Sequence, residues 1–355
     1  MATAKWKTAA MAIAIAGAGV FALVLVSGLV YEQAQRVHDR ERYPPVGRLI
    51  DIGGRMLDID CEGAGQPAVV LAAGANWAGG PAIRDPKRMY ANGGPRPGYS
   101  WVSIQRALAA VTTVCWYDRA GAGWSDPGPY PRDSASQARD LHALLRAARV
   151  PPPYVLAGES SAVLDARVYA GAYPAEVAGL VLVNSADPGL FLNPLSGNGK
   201  RAAKVPQFVY RSQDAMARLF SGVGLYRLGP APPAPAPPKG LTAEEWNTIW
   251  FLTHSSKAMS ALMEDIASWR LSSGEARAAG SLGGRPLLVL SASNVAAPLE
   301  WIRAWTGAQS DLAHLSTRGK QIVIGADAGD LLYDAPDAVI DAVRQVVGEV
   351  RRRND

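Results

Sequence analysis

A chain of 355 residues, 48% hydrophobic and 19% charged, is long enough for one large domain with an insertion and too balanced for a disordered or fibrous protein. Its formal net charge of +5 is gathered into no basic tract except Arg351-Arg352-Arg353 at the very end, so nucleic acid is not an implied partner. It holds no Cys-x-x-Cys pair, histidine cluster or phosphate-binding glycine loop, so neither a metal nor a cofactor is expected.

From Thr8 to Tyr31 the chain carries no charge, a run of about 24 residues and roughly 36 Å of helix. The hydrocarbon core of a bilayer needs about 20 apolar residues, whereas a cleaved signal peptide has an apolar core of roughly 7–15 and a small-residue cleavage site. The length favours an uncleaved signal anchor, with the bilayer as partner through residues 8–31; a cleaved signal is the alternative. Lys5 and Lys7 precede the run and Arg36, Arg40 and Arg42 follow it among acids, so basic residues near the span leave its orientation open. Residues 1–45 thus read as anchor and polar connector.

Arg48–Ile52 and Met56–Cys61 flank Gly53-Gly54, which predicts a hairpin. Pro67–Ala73 is an apolar strand ending at Gly74. A glycine- and proline-rich stretch to Ser100 carries Arg84, Lys87, Arg88 and Arg96, and a helix over Trp101–Ala110 follows. Thr113–Tyr117 is a strand, then comes the loop DRAGAGWSDPGPYPR, and Ser134–Ala148 has helical spacing with Ala138, Leu141, Leu144 and Leu145 on one face. The apolar run Tyr154–Ala157 breaks at Gly158-Glu159-Ser160-Ser161-Ala162, where a helix begins at once, and Gly179–Val183 is the next strand. This alternation predicts a mostly parallel sheet covered on both faces. It stops at Asp187. Helical patterns around the extended tract Pro230–Pro238 run to about Gly284, and the alternation then resumes with Pro286–Ser291, Leu299–Leu315, Gln321–Gly325 and Asp337–Val350. The boundaries follow: a core over 46–186, an insertion over 187–284, and a second core part over 285–355.

Strand, sharp turn with a serine at its apex, then helix is the pattern of a nucleophile elbow. The chain resembles a bacterial group of the α/β-hydrolase superfamily. The resemblance rests on Cys61–Pro67, on VCWYDRAGAGWSDPGP at Val114–Pro129, on the elbow with AYPAEVAGLVLVNSA, and on RPLLVLSA, and it covers most of 46–350 apart from the insertion. It implies an α/β-hydrolase fold whose insertion is a helical cap. It puts Ser160 at the nucleophile position, Asn184 where the acid usually stands, and Asp330 where the histidine usually stands. It draws the oxyanion-hole donors from the backbone of Ser161 and of the loop near Ala75 and Asn76, and it puts Glu159, Asn76 and Asp187 at the pocket rim. It also puts Cys61 and Cys115 side by side on neighbouring strands, so that a disulfide and a periplasmic or otherwise extracytoplasmic body are expected, a pair of buried free thiols being the alternative.

The chemistry of these positions conflicts with the resemblance. A serine needs a base, and the base a partner. An aspartate, with a reference pKa of about 4, is a poor base, and asparagine cannot stabilise an imidazolium as a carboxylate does. Asp187 or Glu300 could replace the acid. Of four histidines, only His254 in the cap could swing toward Ser160; an ordinary cap residue is the bland alternative. Glu159 would oppose an oxyanion. The basic loop reads equally as a rim for an acidic ligand or as an unstructured insertion. Two functions stay open: a serine-type hydrolase of ester-like or lipid-like small molecules with a non-standard triad, or a pseudo-hydrolase that holds a small-molecule ligand or a membrane-protein partner.

Overall fold

In the computed structural model the described residues are 2–76, 94–185, 206–229, 233–294, 299–327 and 330–354. Arg84, Lys87, Arg88 and Asp187 lie outside them, as do the first three residues of the proline tract.

Helix α1 (Ala2–Arg42) runs without a break from the charge-free segment through what the sequence suggested was a connector. The connector expectation is therefore corrected: nothing between Glu32 and Arg42 breaks a helix, the first prolines being Pro44 and Pro45. The strands β1 (Arg48–Asp51) and β2 (Met56–Glu62) form the expected hairpin, and the Asp51 carboxylate accepts from the turn amides of Gly53 and Gly54 at 2.9 and 2.7 Å. Then come β3 (Ala68–Ala72), the two-residue strands β4 (Ala75–Asn76) and β5 (Gly94–Pro95), helix α2 (Val102–Leu108), β6 (Val114–Tyr117), α3 (Ser134–Ala147), β7 (Tyr154–Glu159), α4 (Ala162–Ala172) and β8 (Val177–Val183). The insertion supplies α5 (Gln207–Gly222), α6 (Ala243–His254) and α7 (Ser256–Ala278). The chain ends with β9 (Leu287–Asn294), α8 (Leu299–Ala313), β10 (Gly319–Asp327), the single turn α9 (Leu331–Asp334) and α10 (Pro336–Asn354).

Among the described residues the main sheet has eight strands in the order β1-β2-β6-β3-β7-β8-β9-β10. The first two pairings are antiparallel and the rest parallel. Parallel strands need helical crossovers that cover both faces, so the central strands are apolar on both sides. Neighbours along β3 show this. Val70 joins the core under α3 and α4, while Val69 and Leu71 join the core under α2 and α10. All three are no more than 1% exposed, and burying each side chain is worth ~1.5–3 kcal/mol.

The two cysteines face each other in the β2–β6 register and are joined by a disulfide. It closes a loop with a sequence separation of 54 residues across three strands of the sheet. Replacing both cysteines by serine is expected to lower unfolding free energy in urea by about 2–4 kcal/mol and to raise the slope, because the unfolded chain is no longer cross-linked. Intact mass before and after reduction should differ by two hydrogens; free thiols in unreduced protein from its native compartment would contradict this.

Candidate active site

The elbow stands at the carboxyl end of β7, in the middle of the sheet. Ser160 takes φ +53°, the left-handed strain of a strand-to-helix corner, and its amide donates to the Val183 carbonyl at 3.0 Å. The loop after β3 presses directly on this corner. A Cβ at Gly74 would lie 2.3 Å from the Glu159 carbonyl oxygen and 2.6 Å from the Ser161 nitrogen, so no side chain fits there. This approach occupies the groups that acyl transfer would use. The Ser160 hydroxyl donates to the Ala75 carbonyl at 2.9 Å, an acceptor that cannot serve as a base. The Ala75 amide, expected at the oxyanion hole, donates to the Ser161 hydroxyl at 2.8 Å. An oxyanion hole needs donors aimed at the developing charge, and this one is aimed at a neighbour.

The position expected for histidine is built around a buried ion pair. Asp330 caps the turn α9, its Oδ1 accepting from the Leu332 amide at 3.2 Å, and its Oδ2 takes a short hydrogen bond from Arg96 Nη2. Arg96 enters from the strand β5 side, with its amide on the Gly74 carbonyl at 3.1 Å. Its guanidinium lies over the Tyr333 ring, 5.2 Å from the centroid. Arg96 and Asp330 are 4% and 5% exposed. Burial opposes the guanidinium charge, but the carboxylates of Asp330 and Glu159 more than offset it, so Arg96 holds its proton more tightly than a free arginine. A guanidinium has no acceptor, so this group cannot take a proton from serine.

Two expectations are corrected by this arrangement. Arg96 does not line a basic rim for an acidic ligand; it is internal. Glu159 is not at the rim either, being 2% exposed, because it ends a central strand beneath the loop. Sequence reading missed the pairing of Arg96 with Asp330. The signal was a carboxylate in an apolar context, which demands a cation, but the strand order alone did not say which one arrives.

Asn184 sits at φ +43° just past β8. Its Oδ1 accepts from the Ala292 amide at 3.0 Å and its own amide donates to the Leu290 carbonyl at 2.8 Å, so it joins the ends of β8 and β9. Asn76 contributes backbone to β4, paired with Gly94. Glu300 is exposed in the first turn of α8, where a carboxylate suits a helix start. His254 ends α6 with Nδ1 on the Trp250 carbonyl at 2.8 Å and its ring against the Trp250 indole. His142 stacks on Tyr173, and His38 and His314 are exposed.

Asp118 and Arg119 brace the site, as the motif suggested. Asp118 accepts from the amides of Gly98 and Trp124, both at 2.6 Å. Arg119 bonds the Ala73 carbonyl at 3.1 Å, Asp165 of α4 at 3.1 Å and Asp265 of α7 at 2.5 Å.

A family profile described as the alpha/beta hydrolase fold matches residues 89–219. Solved structures share the architecture. An esterase from Thermogutta terrifontis superposes with a TM-score of 0.54 at 19% identity, covering 83% of this chain and 94% of that one. A loop variant of a haloalkane dehalogenase from Bradyrhizobium elkanii gives 0.57 at 18% identity, covering 86% and 97%. Among curated proteins, the uncharacterized protein YbdG of Bacillus subtilis is 22% identical over 227 residues, 64% of this chain and 61% of that protein. A probable transporter of Hormonema carpetanum, efuK, is 30% identical over 106 residues, and the match spans 29% of this chain and 15% of that protein. The chain therefore matches less than two thirds of the length of these curated relatives, and the solved structures establish its α/β-hydrolase fold.

Removing the Asp330 charge should leave the Glu159 carboxylate to offset the buried Arg96 guanidinium without its hydrogen-bonded partner. Asp330→Asn keeps a capping oxygen yet is expected to lose about 3–5 kcal/mol of stability, read from urea unfolding. A loss within the ±0.5 kcal/mol usual for surface substitutions would show that the pair does not carry the loop.

Proposed function

We propose that this α/β-hydrolase-fold chain is a membrane-anchored pseudo-hydrolase, which holds a small-molecule ligand or a neighbouring membrane protein and does not turn over esters. The observation that carries this reading is the buried Arg96–Asp330 pair at the position where the resemblance calls for histidine. Three further features support it. The Ser160 hydroxyl donates to a carbonyl, the Ala75 amide is engaged by Ser161, and the Asn184 side chain is held by β9. General-base assistance is worth roughly 10²–10⁴-fold, and the hydrogen bond that the Ser160 hydroxyl donates here goes to a carbonyl, which cannot give it.

The anchor is the apolar first part of α1, with Phe21 and Val24 over 60% exposed. The same helix continues into folded contacts at Glu32, which favours a retained anchor over a removed signal. The Cys61–Cys115 disulfide supports an oxidising compartment for the body. A serine-type hydrolase of ester-like or lipid-like molecules is the second reading, favoured by the strained elbow φ of +53° at Ser160.

A fluorophosphonate probe on detergent-solubilised full-length protein separates the two. Equal, faint labelling of wild type and Ser160→Ala, with equal background ester hydrolysis, is expected. Strong labelling that Ser160→Ala abolishes would establish the hydrolase reading. Full-length protein should also stay with membranes through alkaline carbonate washing; release with an N-terminus beyond Tyr31 would show a cleaved signal.

A further inference from the structure

Helix α5 is built inside out. Its side toward the protein carries Asp214, Ala217 and Ser221, all no more than 3% exposed, with Asp214 paired to Arg218 at 2.6 Å. Its outward side carries Phe208 at 71% exposed, Met216 at 54% and Leu219 at 49%. The turn that follows adds Leu225 and Leu228, the latter 75% exposed. Phe208, Ala215 and Leu219 are spaced at the helical repeat, so they form one stripe. A helix that folds against its own protein normally turns such a stripe inward. The most buried positions of α5 are thus small or polar, while its free side mixes these apolar side chains with the exposed Arg211, Ser212, Gln213 and Arg218, the apolar and basic mixture of a helix lying at a bilayer interface.

The position of α5 along α1 says which hydrocarbon. The side of α1 that meets the insertion is a stripe at Leu25, Gly28, Glu32 and Arg36, less exposed than the residues around it. At Gly28 the two backbones touch, since a Cβ there would lie 2.8 Å from the Val223 carbonyl oxygen. Gly28 lies within the charge-free run, three residues before its end, or about 4.5 Å of helix. Val223 directly follows α5. One turn further along α1, polar contacts fix the insertion in place. Glu32, fully buried, accepts from Arg227 at 2.6 Å, Arg36 at 2.9 Å and Ser256 at 2.7 Å, and Arg227 also pairs with Asp39 at 2.6 Å. Tyr43 stacks on Phe251 of α6, with centroids 4.3 Å apart. The insertion is thus clamped to α1 so that the C-terminal end of α5 sits at the level where the apolar run ends.

We infer that α5 and the turn after it, through Phe208, Met216, Leu219, Leu225 and Leu228, dock into the interfacial layer of the same bilayer leaflet that α1 crosses. This rests on the anchor reading above and goes beyond it. On this reading α1 crosses the bilayer while α5 lies in its interface, and the insertion faces lipid. Interfacial helices bury their apolar face about 5–10 Å, and the Gly28–Val223 contact brings the C-terminal end of α5 to about 4.5 Å of helix inside the end of the apolar run.

The two native cysteines are paired, so one added cysteine labels uniquely. Full-length protein is reconstituted in vesicles of phosphatidylcholine and phosphatidylglycerol in equal parts, with a nitroxide at Phe208→Cys, Leu219→Cys or Leu228→Cys in turn. Val20→Cys in the anchor and Arg48→Cys on an exposed strand give the lipid and water references. Collision rates with oxygen and with a water-soluble nickel chelate are read. All three sites on the insertion are expected to favour oxygen several-fold over Arg48→Cys, as Val20→Cys does. If Val20→Cys reads as lipid and all three read as water, the interfacial helix is refuted while the anchor stands. If Val20→Cys itself reads as water, the anchor reading fails and this one with it. Shielding from both reagents at the three sites would mean that a protein covers the face and would also refute lipid docking. The three positions are already solvent-facing, so the label displaces no core.

Discussion

A guanidinium buried at the end of the sheet has to be neutralised where it lies. The loop after β3 brings Arg96 over the carboxyl ends of the central strands, and two acids from distant parts of the chain converge on it: Glu159 ends β7 and Asp330 opens α9. Breaking such a pair leaves an uncompensated charge, so the loop that carries Arg96 is held down. With the loop held, Gly74 lies on the elbow, the Ala75 carbonyl takes the Ser160 hydroxyl, and the Ala75 amide takes the Ser161 hydroxyl. The closed state of the site follows from one charge and the geometry of the segment that delivers it.

The same device recurs at two other junctions. Arg119 joins the Ala73 carbonyl, α4 and α7, and so ties the insertion to the core through Asp165 and Asp265. Arg227 joins the insertion to α1 through Glu32 and Asp39. The guanidinium suits these nodes because its planar fork presents several donors in fixed directions, each able to meet a different element. Between them, the three arginines relate α1, the insertion and the elbow. The polar centres of these contacts fix direction, while the apolar layers on both faces of the sheet supply most of the stability.

The α/β-hydrolase fold was open to reading because its signals are local. Alternation of apolar runs with helical spacing marked β3, β6, β7 and β8 to within a residue or two. Gly158 to Ala162 marked the elbow, and Gly53-Gly54 marked the hairpin. The cysteine pairing followed once the strand order was taken from the resemblance. At Tyr31 the composition changes from apolar to polar, while the helix runs on to Arg42, because composition alone does not end a helix. Glu159 and Arg96 are both charged, and charge by itself predicts exposure unless a partner is known.

Sequence alone determined what depends on neighbours along the chain: which segments are strands or helices, where the chain turns sharply, which run is long and apolar enough to cross a bilayer, and that an aspartate stands where the resemblance implies a histidine. Tertiary structure alone decided what fills that place, since Arg96 and Asp330 are far apart along the chain and meet only when the segment just after β5 is brought against the start of α9. It also decided that α5 faces outward with its apolar side and that Glu32 is an internal partner of the cap. The reason is common to all three. A residue's burial and the sign of its neighbours are properties of the packed arrangement, and a charge or an apolar stripe acquires its role only from what is brought against it.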